Sequence, residues 1–250
     1  MEIKTIVTIL FLSMLGLSLG ANASTISSDE PWVDATEGIT GGSTAITWFP
    51  ANQNSSSSST LDHAQTIIEV YTATWCETCI PAEEALNASI TDHAVKVVKY
   101  HRHLFETEDP FGNNNTEGRW LSRYGPSAVQ ADFNARTPPT VIFGGERMHI
   151  GSHPTAGVSL EEEYSISLNS IMRPPISNSS EFTFTWEDGT FEWSWNWEED
   201  ITACRSNCDT VSTELYMMIV EDTAFFPEGS NGEEYYLSLI HISEPTRQSL

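Results

Sequence analysis

The stretch Ile67-Ile-Glu-Val-Tyr-Thr-Ala-Thr-Trp-Cys-Glu-Thr-Cys79 runs from a β-rich apolar segment into two cysteines separated by two residues. Ile67 to Tyr71 has the composition of a buried strand. From Ile80 to Asn87, with Ala82, Glu83, Glu84, Ala85 and Leu86, helix formers take over. Cys76 and Cys79 therefore fall between a buried strand and the start of a helix. Unpaired backbone N–H groups and the positive end of the helix dipole favour thiolate over thiol there. Only the thiolate attacks a disulfide.

Downstream, Val95 to Tyr100 reads as a second strand, and His101 to Asn115 as a long polar connecting loop. His101 and His103 stand beside Glu106, Glu108 and Asp109, a set that could make a weak metal site but reads better as a solvated acidic loop. No metal and no cofactor is expected. Trp120 to Phe133 gives a helical stretch broken by Gly125-Pro126. Thr137-Pro-Pro-Thr-Val-Ile-Phe-Gly-Gly145 then gives a turn, a strand and a reversal, with Met148-His149-Ile150 returning as the paired strand. Leu160 to Met172 reads as a helix whose acidic start, Glu161 to Glu163, suits the dipole and is expected to be solvated.

Residues 174–180 are a linker by composition, and beyond them the period changes. Phe182, Phe184 and Trp186, then Phe191, Trp193, Trp195 and Trp197, alternate with polar residues. Closing the hairpin signal Asp188-Gly189 sets Trp186 opposite Phe191, Phe184 opposite Trp193 and Phe182 opposite Trp195, predicting one buried aromatic face. With a further strand at Leu215 to Val220, residues 181–236 read as an incomplete β-sandwich-like domain. Cys204 and Cys208 flank a polar turn without an activating helix, so a structural disulfide is expected. A zinc site using all four cysteines has unsuitable spacing.

Two ends are set apart. Residues 1–23 carry Lys4, an apolar run from Ile6 to Leu19 and Ala21-Asn22-Ala23, the order of a secretory signal peptide cleaved before Ser24. The run is shorter than the roughly 20 residues that span a bilayer. Leu237 to Arg247 resembles the in-frame translation of a sequencing-library adapter, so residues 237–250 are expected to be an artefact and the native C-terminus, with any membrane attachment, stays open. Residues 24–60, polar and serine-rich, read as a flexible lead-in with one strand near Ala45 to Phe49.

Across 250 residues the formal charge is −24, from 35 acidic and 11 basic residues, which disfavours nucleic acid and anionic surfaces as partners. Hydrophobic residues at 39% still suffice for a core. Asn54, Asn87, Asn114 and Asn178 begin Asn-x-Ser/Thr and matter only in a host that glycosylates exported proteins.

Trp75 and the Cys-x-x-Cys, the β-run before them, and Thr137-Pro138-Pro139-Thr140 some sixty residues later together resemble the thioredoxin superfamily over about Ile67 to Met172. The resemblance implies an α/β thioredoxin-like domain at 61–173, ahead of the β-domain. It also implies a cis-proline at Pro139 lying against the cysteines, with Pro138 touching the bound chain. Within the superfamily the chain is similar to secreted, outer-membrane-type members, through Tyr100-His101, Asp109-Pro110-Phe111, Arg119 or Arg123, and Tyr124. It departs from thioredoxins proper at Val70, where they carry a buried acid. Glu69 is adjacent but points to the opposite face of the strand. Glu77 disfavours a thiolate, so a couple less oxidising than one with His or Lys between its cysteines is expected, which a potential well above about −180 mV would contradict.

The expected function is exported thiol–disulfide exchange. Cys76 acts as nucleophile, Cys79 resolves, Pro139 shapes the cleft, and Trp75, Pro138 and Thr140 line it. The expected partners are extracytoplasmic proteins with thiols or disulfides and a separate redox partner. The rival reading is a non-catalytic surface-exposed binding or adhesion module built on the same fold; a metal carrier ranks last.

Overall fold

The computed structural model describes residues 7–16, 31–35, 40–48, 54–60, 65–103, 109–171, 180–187, 190–196, 212–230, 234–242 and 246–248. In chain order the elements are β1 (Val7–Gly16), β2 (Val33–Asp34), β3 (Thr40–Trp48), β4 (Ser55–Thr60), β5 (Gln65–Thr72), α1 (Cys79–Ser89) and β6 (Val95–His101). There follow α2 (Asn114–Arg123), α3 (Gly125–Gln130), β7 (Thr140–Phe143), β8 (Arg147–Ile150) and α4 (Leu160–Asn169). The last are β9 (Glu181–Glu187), β10 (Thr190–Asn196), β11 (Ser212–Phe225), β12 (Glu234–Ile242) and β13 (Thr246–Gln248).

β5 organises the larger sheet. It runs parallel to β6, with Val70 opposite Lys99, and antiparallel to β7, with Tyr71 opposite Thr140 and Ile68 opposite Phe143. Helices cover both faces, which is why the strand reads as an almost unbroken apolar run. Ile68 and Val70 pack with Val141 and Phe143 against Ala82 and Leu86 of α1 and Leu160, Tyr164 and Leu168 of α4. Ile67 and Tyr71 face the other way, into Trp120, Tyr124 and Ala128 from α2 and α3, with Tyr100, Ile142, Tyr216 and Met218. Tyr71 stacks on Trp120 with ring centroids 4.7 Å apart. Burying each such ring contributes on the order of 1.5–3 kcal/mol.

Local chemistry starts and stops these elements. The Asn113 side chain accepts from the N–H groups of Asn115 and Thr116 to cap α2. Ser159 caps α4 through Glu162 N–H. The β7–β8 reversal needs glycine at 144, where φ is +59° and an added Cβ would come within 2.8 Å of Ile171 Cγ2.

Several expectations change. The lead-in 24–60 contains β2, β3 and β4. The serine run Ser55–Ser59 forms β4 because its backbone pairs with β9, Ser57 opposite Phe184. Val7–Gly16, within the apolar run of the expected signal peptide, forms β1, paired with β3 and β11. The 181–236 segment does not stand as one separate sheet. β9 and β10 join β4, whereas β11 and β12 join the larger sheet, whose pairings run from β5 through β6, β12, β11, β1 and β3 back to β5. Leu237 to Ile242 lies in β12 and Thr246-Arg247 in β13.

The β9–β10 register is the one the sequence predicts: Trp186 opposite Phe191, Phe184 opposite Trp193, Phe182 opposite Trp195. The face is not uniformly buried. Phe182 is buried, but Trp193, on the edge strand β10, is 39% exposed. No helix among the described residues is long and apolar enough to cross a membrane.

Candidate active site

Between β5 and α1 the chain makes two tight turns, Cys76 N–H to Ala73 O and Cys79 N–H to Cys76 O, both at 3.1 Å. α1 begins at Cys79, and Pro81 sits in its first turn, where a missing N–H costs nothing. Cys76 and Cys79 form a disulfide, with Cα atoms 5.3 Å apart. Both are buried, packed with Ala73, and Cys76 Sγ lies 3.4 Å from Thr78 Oγ1.

Cys76 opens onto a cleft of about 450 Å³, lined also by Trp75, Glu77, Thr78, Arg102, Asn134, Arg136, Thr137 and Pro138. Cys79 is not part of this lining. Trp75 is 41% exposed and carries the Arg102 guanidinium 5.5 Å from its ring centre. The Pro138–Pro139 bond is cis. Pro139 contributes its carbonyl to Gly151 N–H (2.8 Å) rather than a surface to the cleft. Thr140 is buried, its hydroxyl donating to Thr137 O at 2.7 Å. Of the expected cleft residues, Trp75, Cys76 and Pro138 line it, whereas Cys79, Pro139 and Thr140 support it from behind. Cys204 and Cys208 lie outside the described residues.

Thr78, Arg102, Asn134, Arg136 and Thr137 are cleft residues to which sequence reading gave no role. The available signal was scarcity: the chain has 11 basic residues, and two of them line this cleft. Arg136 is held in place by Glu117 Oε1 (2.6 Å) and the His103 carbonyl, and Glu117 in turn accepts from Tyr71 OH and His103 N–H. Burial and the Glu117 charge together push the Tyr71 hydroxyl well above its ordinary pKa, so it stays a donor.

Behind the cysteines, Val70 lies in the apolar face, and a carboxylate arrives from the helix. Glu83 lies one helical turn beyond Cys79, on the same face of α1. It accepts from Thr72 Oγ1 (2.8 Å) and pairs with Lys99.

Within the segment expected to be a solvated loop, Pro110, Asn114 and Asn115 are exposed, but two of its titratable side chains are buried. His101 and Asp109 have side-chain exposures of 0% and 1% and lie 3.1 Å apart, Nδ1 to Oδ2. Asp109 also accepts from Thr74 N–H (2.8 Å) and Phe111 N–H (3.1 Å). Burial alone would raise the Asp109 pKa. The His101 hydrogen bond and charge, with the two backbone donors, outweigh it and leave the carboxyl below its ordinary value. Glu106 and Glu108 lie outside the described residues.

Glu69, on the face opposite Val70, is the centre of a second buried network. It accepts from Tyr100 OH (2.6 Å) and Tyr124 OH, and Arg119 Nη2 stands 3.6 Å away. Arg119 also lies 4.1 Å over the Tyr216 ring. Burial first, and then the Glu69 charge, holds the Tyr124 hydroxyl far above its usual pKa. Glu163 was expected to be solvated with Glu161 and Glu162, but it is 1% exposed because it faces inward from α4. No cluster of three or more metal-ligating side chains occurs among the described residues.

No protein-family model matches the chain, and no curated protein matches it. A crystal structure of an Agrobacterium tumefaciens protein from a structural-genomics consortium is similar at 15% identity and a TM-score of 0.40, covering 73% of this chain and 76% of that one.

Proposed function

We propose that the chain carries a thioredoxin-like unit and acts as an exported thiol–disulfide oxidoreductase on protein thiols and disulfides outside the cytoplasm. The carrying observation is the Cys76–Cys79 disulfide at a strand-to-helix junction, with Cys76, and not Cys79, lining a cleft together with Pro138. Export rests on the order of charge, apolar run and small residues at 1–23 and on cysteine pairing.

The chemistry is a two-electron exchange. In the oxidising direction a substrate thiolate attacks Cys76 Sγ; a substrate–Cys76 disulfide forms, the Cys76–Cys79 bond breaks, and Cys79 leaves as thiolate and takes up a proton. A second substrate thiolate then attacks the substrate sulfur, releasing Cys76 as thiolate; the substrate is oxidised and the cysteine pair reduced. The reverse sequence reduces a substrate disulfide. Arg102 and Arg136 line the cleft and favour the Cys76 thiolate, offsetting Glu77. The exposed Trp75 ring and Pro138 present the surface an extended substrate segment would lie on.

The test is the reduction potential of the pair in the full chain in glutathione buffers, with insulin reduction by Cys76→Ser as control. A potential between about −270 and −120 mV with Cys76-dependent turnover supports exchange. A pair still oxidised below about −300 mV, with no turnover, overturns it in favour of a non-catalytic binding module.

A further inference from the structure

The chain carries a formal charge of −24, but the cleft at Cys76 is lined by two guanidiniums, Arg102 and Arg136, and one carboxylate, Glu77. The two cations reach it from separate elements. Arg102 follows β6, its N–H donating to Thr72 O at 2.8 Å and its guanidinium lying 5.5 Å from the Trp75 ring centre. Arg136 comes from the segment before β7, its Nε donating to Glu117 Oε1 at 2.6 Å and its Nη2 to the His103 carbonyl.

Glu117 is 1% exposed and not among the lining residues, so this pairing anchors the guanidinium from behind the wall. The fork of an arginine carries more donors than one carboxylate uses, and an anchored arginine can donate to a second. Anchoring also removes side-chain freedom before a substrate arrives, which lowers the cost of each contact. Two ranges of charge then act on an incoming chain. The field of the whole protein draws cations and repels anions. At physiological salt that field is screened beyond about 8 Å, so within the cleft the nearest groups decide.

We propose that the cleft selects substrate segments carrying Asp or Glu beside the reacting cysteine, with their carboxylates paired to Arg102 and Arg136. This selectivity rests on the exchange reading above and runs against the basic substrates that the overall charge would favour. Complementary charge of this kind gives specificity more than raw affinity.

The test uses end-blocked peptides Ala-Xaa-Cys-Xaa-Ala joined as disulfide dimers, with Glu, Gln or Lys as Xaa. Each is mixed with the pre-reduced full chain at pH 7.5 in 0.15 M salt. Released thiol peptide is followed by chromatography, and the rate that persists in Cys76→Ser is subtracted. Each rate is divided by that of dithiothreitol with the same peptide, which removes the effect of charge on the disulfide itself. The expected order is Glu, then Gln, then Lys, with Glu about fivefold ahead of Gln, as an ion pair near a protein surface supplies. Arg102→Gln and Arg136→Gln should each bring the Glu-to-Gln ratio toward one. A ratio is read, so a change in the Cys76 thiolate fraction cancels. Equal normalised rates, Lys as the fastest, or an unchanged ratio in the folded variants would overturn the substrate class and leave exchange standing. Absence of Cys76-dependent reduction for every peptide would overturn exchange, and the selectivity with it. The peptide comparison uses the unmodified chain and so holds whether or not the variants fold.

Discussion

Ser230 donates both its backbone N–H (2.6 Å) and its hydroxyl (2.8 Å) to the carbonyl of Thr74, two residues before Cys76. The N–H of the same Thr74 donates to Asp109 at 2.8 Å. The turn leading into the disulfide is thereby held from two distant parts of the chain. Ser230→Ala leaves the backbone bond and removes the hydroxyl, so it should cost about 0.5–1.5 kcal/mol by urea unfolding. Faster reduction of Cys76–Cys79 by dithiothreitol should accompany the loss.

Asp109 has a folded pKa below its unfolded value, so its contribution is complete above about pH 4 and is lost as pH falls through the lower folded value. Asp109→Asn should be less stable than the parent at pH 7. The gap between the two denaturation curves should narrow on acidification below about pH 4; a gap of constant width would remove the assignment.

His149 shifts stability in the same direction for a different reason. Its folded pKa of about 4 lies below the ordinary 6.5, so between these values the unfolded chain binds a proton that the folded chain refuses. Stability should fall by on the order of 3 kcal/mol as pH drops across that window. His149→Gln should flatten this part of the profile when midpoints are compared at pH 7 and 4.5.

Glu69→Ala strands Arg119, which is 8% exposed, and two phenols that donate to the lost carboxylate. The expected cost is about 3–5 kcal/mol. Equilibrium unfolding should show it as a lower midpoint, and Arg119→Met in the same background should recover part of the loss.

Arg102→Gln takes one cation from the cleft. Alkylation of Cys76 in the reduced protein at pH 7 should slow severalfold, with the dependence on pH displaced upward, because less thiolate is present. Rates that match the parent would place the guanidinium too far from the sulfur to matter.

What sequence reading captured was local. The β5–Cys76–Cys79–α1 order, the break between α2 and α3 where Gly125-Pro126 opens α3, and the β9–β10 register follow from propensity, a breaker and a turn signal acting over a few residues. What it missed was set by partners far away. Asp109 looks like one more acid in a polar stretch until His101 and the Thr74 amide surround it. Glu163 is indistinguishable from Glu161 and Glu162 until the helix face is known. Ser55–Ser59 has no apolar pattern and becomes a strand only because β9 supplies its ladder.

The ladder that sets Tyr71 opposite Thr140 and Val70 opposite Val141 also carries information about chemistry. Cys76 follows β5 and Pro139 precedes β7, so their separation is an alignment of two strands rather than a property of either loop. A slip of one place would send the apolar set of β7 to the wrong face and carry the proline about 3.3 Å along the strand. Misalignment would thus yield chains with intact cysteines, the right mass and an inert cleft. For the exchange reaction proposed above, preparations of this protein are better judged by the fraction of molecules that turn over than by thiol content or purity.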